Sequence, residues 1–255
     1  MAIVFQKTNP YTAPQTYHLK REDFFAMTDP FILSGNIVDV DRQKIYTGRL
    51  HIAGGRIRKI EPCHVLDAHY ILPAFVNAFL QLKENSPLDF ANEAVKSGTL
   101  AALVVQPVEL DFKFFFTINK TVMPENTPIQ ATDICEAEEQ INLGRKIIIN
   151  ETSFNSLYPL INQYPHSLML AINECQTAKT KHKVLLDLFK SGLDKGLNFY
   201  NLLNTFSTNT INHYNLPIGL LRENDFADCF IVDNLQKLTV LQSYIDGIRL
   251  FDSGL

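Results

Sequence analysis

The sequence predicts an α/β protein whose two ends join in a small β-sandwich around a central run of βα units. Three observations carry this expectation. Strand-like segments crowd residues 31–72 and return after Pro217. Between them, short apolar runs alternate with helical patterns, as βα units with a parallel sheet require. Each flank also holds a hairpin signal, Gly54-Gly55 near the start and Asp246-Gly247 near the end.

Taken in order, residues 1–28 are polar and read as an extended N-terminal arm, with one short helix from Lys20 to Met27. Residues 29–71 and 216–255 form the composite β-sandwich. Arg56-Ile57-Arg58-Lys59-Ile60 nearly alternates, as a half-buried strand should. Residues 72–215 form the α/β part. Its candidate strands are 71–78, 100–106, 112–118, 146–150 and 167–172. Its candidate helices are 87–97, 132–143, 153–163, 180–192 and 196–207. Ser86-Pro87 and Asp133 are suitable helix starts.

Bulk properties exclude several functions. A net charge of −4, without a dense Lys/Arg stripe, argues against nucleic acid. No run approaches the ~18 apolar residues of a membrane span, and the first residues lack a signal-peptide core, so a cytoplasmic protein is expected. Cys63, Cys135, Cys175 and Cys229 are scattered and read as reduced, mostly buried thiols. No phosphate-binding glycine loop or nucleophile elbow occurs.

Several stretches carry a family likeness. Ile71-Leu72-Pro73-Ala74-Phe75-Val76-Asn77-Ala78-Phe79-Leu80-Gln81 parallels L-P-G-[FL]-[IV]-D-x-H-x-H. Gly35 to Val40, Gly98-Thr99, Glu136 to Gly144, Ala227 to Leu235 and Tyr244-Ile245-Asp246-Gly247 follow in matching order. Together they resemble the amidohydrolase superfamily, most nearly its bacterial adenine deaminases, over residues 31–252. The resemblance implies an amidohydrolase-type (β/α) barrel. A complete barrel takes about 250 residues, and the central segment is far shorter, so the barrel is expected to be truncated or distorted.

The same resemblance implies a metal-activated water and a proton-shuttling Asp at the strand ends. The matched positions lack the ligands. Phe79 and Gln81 replace the first histidine pair, and Asn77 replaces the Asp before it. Val108, in Gln106-Pro107-Val108-Glu109, and Ile129, in Thr127-Pro128-Ile129-Gln130, stand where further histidines belong. Asn173 or Glu174 falls at the proton-transfer Asp. Cys63, His64 and His69 read as a loop rather than a metal site. No metal and no cofactor are therefore expected.

The leading reading is a catalytically degenerate relative with a binding, regulatory or scaffolding role. Residual hydrolase or deaminase chemistry through Glu109, Glu151, Asn173 and Glu174, or through a relocated metal, is the alternative. A third reading makes the old pocket a purine-sized ligand site, with Gln81, Gln106 and Asn173 as amide readers. The partners expected are thus a small purine-like ligand and, because an incomplete barrel exposes sheet edges, further copies of the chain. The aromatic run Phe112-Lys113-Phe114-Phe115-Phe116 reads as core rather than as a stacking platform.

Overall fold

The computed structural model describes residues 29–66, 69–81, 87–105, 108, 110, 112–117, 127–172 and 184–254. The expected arm, its short helix, and the candidate residues Gln106, Glu109, Asn173 and Glu174 lie outside the described residues.

Both chain ends enter one seven-stranded sheet. From the N-terminal side come β1 (Phe31–Asp39), β2 (Lys44–Ala53), β3 (Arg56–Pro62) and β4 (Tyr70–Pro73). From the C-terminal side come β11 (Cys229–Val232), β12 (Val240–Ile245) and β13 (Ile248–Asp252). The order is β13-β12-β11-β4-β1-β2-β3. Two tight turns set its registers. Gly54 and Gly55 have φ of 57° and 72°, and Asp246 and Gly247 have 51° and 71°. Positive φ at both central residues matches the right-handed twist of the flanking strands.

This sheet folds back on itself. The chain just before β11 returns to β3, with Asn224 N–H donating to Ile57 O and Ile57 N–H to Asp225 O. The curled face encloses its own core, including Ile37, Leu50, Ile57, Ile71, Cys229 and Tyr244. The other face presents Val38, Val40, Phe230 and Val232 to the α/β part.

The α/β part contains two three-stranded parallel sheets. One has the order β5-β6-β7 and comprises β5 (Phe75–Leu80), β6 (Thr99–Val104) and β7 (Phe115–Thr117). The other has the order β10-β9-β8 and comprises β8 (Ile129–Gln130), β9 (Ile147–Asn150) and β10 (Leu168–Ala171). The sequence suggested one strand over 71–78. Instead β4 ends at Pro73, and β5 begins two residues later in a different sheet. The two-residue strand β8 has no periodicity to detect.

Helices start where local chemistry allows. α1 (Pro87–Val95) has proline at its first position, where the missing N–H costs nothing. α2 (Ile134–Asn142) is capped by Asp133, whose carboxylate accepts from Glu136 N–H at 2.9 Å. Glu136 reaches back to Thr132 N–H at 3.1 Å. The helix expected over 153–163 is broken into α3 (Phe154–Leu157) and α4 (Pro159–Gln163). Pro159 has no N–H for the preceding turn, and its ring crowds that turn's carbonyl.

After α5 (Val184–Asp194), the last helix outruns its expected end at 207. α6 (Phe199–Leu203), a π-helical turn (Asn204–Thr208) and α7 (Asn209–Tyr214) run on as one helix. It stops at Asn215 in the left-handed region, φ 48°. Of the described cysteines only Cys229 is buried, while Cys63 is half-buried and Cys135 exposed. This corrects the expectation of mostly buried thiols.

Two packing nodes tie these layers together. Phe75 places its ring 4.9, 5.0 and 5.6 Å from those of Phe230, Phe189 and Phe206, joining β5 to β11, α5 and the π-turn. Gly98 fits beside this cluster. A Cβ there would lie 2.8 Å from the Phe230 ring, and its φ is +77°, so only glycine is unstrained.

The second node is ionic. Within the phenylalanine run, Phe112, Phe114 and Phe115 pack with Phe90 as core, while Lys113 turns away from them. Its Nζ donates to Asp228 at 2.7 Å, Asp246 at 2.6 Å and Pro217 O at 2.8 Å. All three ionic side chains are at most 5 % exposed. Asp228 also accepts from Gly219 N–H and Asp246 N–H. Burial pushes the Asp228 carboxyl up from its ordinary value, Lys113 pulls it back, and Asp246 pushes it up again. The Phe226 ring lies 4.2 Å from Lys113 Nζ and 3.8 Å from the Arg56 guanidinium.

Removing this ammonium would leave two buried carboxylates facing each other. Lys113→Met is therefore expected to cost about 3–5 kcal/mol in urea unfolding. A loss below about 1 kcal/mol would show that the cluster does not hold the layers together.

Candidate functional site at the strand ends

Of the described matched positions, Asn77, Phe79 and Gln81 lie in or just after β5, Val108 lies beyond β6, and Ile129 opens β8. β5 is irregular: its register on β6 shifts around Val76 and again between Asn77 and Leu80. Such bulges re-aim side chains. Asn77 supplies the local reason, because its Oδ1 accepts from Phe79 N–H at 3.3 Å.

Asn77 also stitches the two parallel sheets. Its Oδ1 accepts from Ile172 N–H at 2.9 Å, and its Nδ2 donates to Ile172 O at 3.3 Å. The side chain is fully buried. β5 and β10 lie side by side here, and the amide substitutes for a main-chain ladder across the seam. An Asp at this position accepts but cannot donate when ionised. The amide is therefore matched to this seam, whereas the family's acid would face Ile172 O with a buried charge.

Beside the seam, Phe79 packs against Ala78, Ile148, Met169 and Ala171, with Tyr214 on the same cluster. These side chains come from β5, β9 and β10 and fill the face between them. Burial pushes the Tyr214 hydroxyl up to about 12.

The other substituted positions do not join Phe79. Val108 packs with the β5-β6-β7 core, and Ile129 with the large cluster beneath β8, β9 and β10. Gln81 is exposed at the end of β5. Phe79, Val108 and Ile129 are apolar, as expected, but they form no single plug.

Glu151 follows β9 in a tightly held turn. Asn150 Oδ1 accepts from Thr152 N–H, Thr152 Oγ1 and Ser153 N–H, and Ser153 Oγ accepts from Asn150 N–H. This turn fixes the backbone at the strand end. Glu151 is half-buried there. Among the described residues, no three His, Cys, Asp or Glu side chains gather as a metal would need, Cys63, His64 and His69 included. The donor set at the described matched positions is one exposed amide, Gln81, and three hydrocarbon side chains. It does not fit the family's metal.

Sequence reasoning missed the seam role of Asn77. The signal was its residue type: an amide has nearly the shape of Asp but both donates and accepts.

No protein-family model matches the chain. An adenine deaminase of Methanosarcina mazei is 43% identical over 124 residues, which are 47% of this chain and 22% of that protein. An adenine deaminase of Salinibacter ruber is 22% identical over 328 residues, covering 89% of this chain and 60% of that protein. The chain thus spans less than two thirds of either relative. The second match is longer than the chain's own 255 residues, so that relative carries internal segments with no counterpart here. A solved amidohydrolase of Thermotoga maritima superposes with a TM-score of 0.58 at 10% identity, covering 87% of this chain and 99% of that one. At that identity the likeness is one of fold.

Two outcomes follow from the seam. Asn77→Asp is expected to lower stability by about 1–3 kcal/mol at neutral pH, by orphaning Ile172 O and burying a carboxylate. An unchanged urea midpoint would remove the stitch. For Tyr214, a folded-state value raised from 10.0 to about 12 means stability that is intact below pH 10 and lost as pH rises toward 12. Tyr214→Phe should lose less stability across that window, and an identical alkaline profile would contradict it.

Proposed function

From the premise that the chain is an amidohydrolase-like protein related to adenine deaminase, we propose that it is a catalytically degenerate member of that lineage. It has lost the metal ligands and serves in the cytoplasm as a binding, regulatory or scaffolding protein. The observation that carries this reading is Phe79. Where the family's strand presents a histidine, this chain packs a phenyl ring onto Ala78, Ile148, Met169 and Ala171. Asn77, at the neighbouring acidic position, is committed to the β5–β10 seam.

The strand order supports a truncated barrel. Across the seam the parallel strands run β7-β6-β5-β10-β9-β8, an arc of the kind an eight-stranded barrel leaves when strands between β7 and β8 are absent. The curled seven-stranded sheet is the companion sandwich. No described strand pairs with the outer sides of β7 and β8. Unpaired edges favour association, so the protein is proposed to work as a homo-oligomer. A purine-like ligand remains the natural occupant for a vestigial pocket of this lineage.

The test is elemental analysis of protein expressed with zinc, iron and manganese, together with an ammonia-release assay on adenine. The reading expects well under one metal per chain and no turnover above the buffer rate. Stoichiometric metal, or adenine-dependent ammonia abolished by Glu109→Gln or Glu151→Gln, would overturn it.

A further inference from the structure

A cleft of about 600 Å³ opens at the opposite end of the parallel strands from the family's site. Lys146 stands immediately before β9 and His166 two residues before β10, and both line it. The β1–β2 turn forms one wall, and the π-turn with α7 forms the floor. A cleft of this volume is the size of an organic ligand rather than of a bare ion.

Its charge is cationic. Lys146 Nζ donates to His166 O at 2.6 Å, which fixes the ammonium at the cleft with two N–H groups left over. His213 adds a second imidazole, set edge-on against Tyr214 at 4.7 Å. The acid in the lining, Asp41, is already engaged: it accepts from Arg222 Nε at 2.6 Å and from Nη2 at 2.7 Å.

Thr208, on the floor, is 7 % exposed, and its hydroxyl, like those of Ser207 and Thr210 on the same helix, is shielded from solvent and has no hydrogen-bond partner. Such a group is costly to leave unmet. It lies in a π-turn, a geometry that recurs at functional sites. Asn209 holds that turn in place, because its Nδ2 donates to Pro165 O and Leu168 O beside the start of β10.

We propose that this cleft binds a small organic oxyanion, a phosphate- or carboxylate-bearing molecule. Lys146 and His166 hold the anionic group, and the amides of Asn204, Asn212 and Gln43 face the organic part. The assignment does not depend on the fate of the family's site.

The experiment is calorimetric titration of the full chain at low salt with AMP, citrate and inorganic phosphate. AMP or citrate should saturate one site per chain. Saturation by AMP alone assigns a phosphate-bearing ligand, and saturation by citrate alone a carboxylate-bearing one. Lys146→Met and His166→Leu should each weaken binding by at least about fivefold. Three results would overturn the proposal: no saturation by any probe up to about 10 mM, wild-type affinity in either variant, or inorganic phosphate binding as tightly as the organic anions.

Discussion

Two hydrogen bonds from one buried amide hold the α/β part in its observed arrangement. β5-β6-β7 and β10-β9-β8 are separately bonded sheets, and Asn77 joins them by donating to and accepting from Ile172. Each such bond contributes about 1 kcal/mol net, but leaving the seam's buried N–H and C=O unmet would cost more. The same amide bends β5 through its bond to Phe79 N–H, which sets the local backbone from which the Phe79 side chain projects. Sheet alignment and the filling of the face between β5, β9 and β10 therefore share one cause.

The second constraint lies between layers. Lys113, on the segment leading into β7, bonds Asp228 just before β11 and Asp246 in the β12–β13 turn. A buried ammonium between two carboxylates is not a large source of stability relative to an apolar core, yet it admits only one arrangement of its partners. The aromatic hub around Phe75 adds the non-directional part of the same docking. Ser243 Oγ donating to Val95 O fixes the end of α1 on the curled sheet. These contacts dock the curled sheet and the two parallel sheets around a defined core.

The sequence made the local features legible and hid the long-range ones. Gly54-Gly55 and Asp246-Gly247 announced their turns because positive φ demands those residues. Asp133 announced a helix start, because its carboxylate caps the N–H groups that the first turn leaves unpaired. The Pro159 break was visible in principle, but the apolar spacing across it looked continuous. β8 was too short for any period. Asn77 looked like a lost acid because its partner sits 95 positions away, and Lys113 looked like an interruption of a phenylalanine run because its carboxylates lie over 100 positions on. The cationic cleft escaped notice for the same reason: Lys146, His166 and Thr208 share no spacing motif.

Phe79, Val108 and Ile129, which the resemblance matches to metal-ligand positions, are packing positions in this chain. The most direct measurement is the stability of Phe79→His with and without zinc. The account predicts a loss of about 1–3 kcal/mol, as a polar ring replaces a packed one, with no recovery on adding zinc. Unchanged stability would mean that the Phe79 ring is not a packing group, and a zinc-dependent rise in the melting temperature beyond that of the wild type would mean that the site can still hold a metal; either result would contradict it.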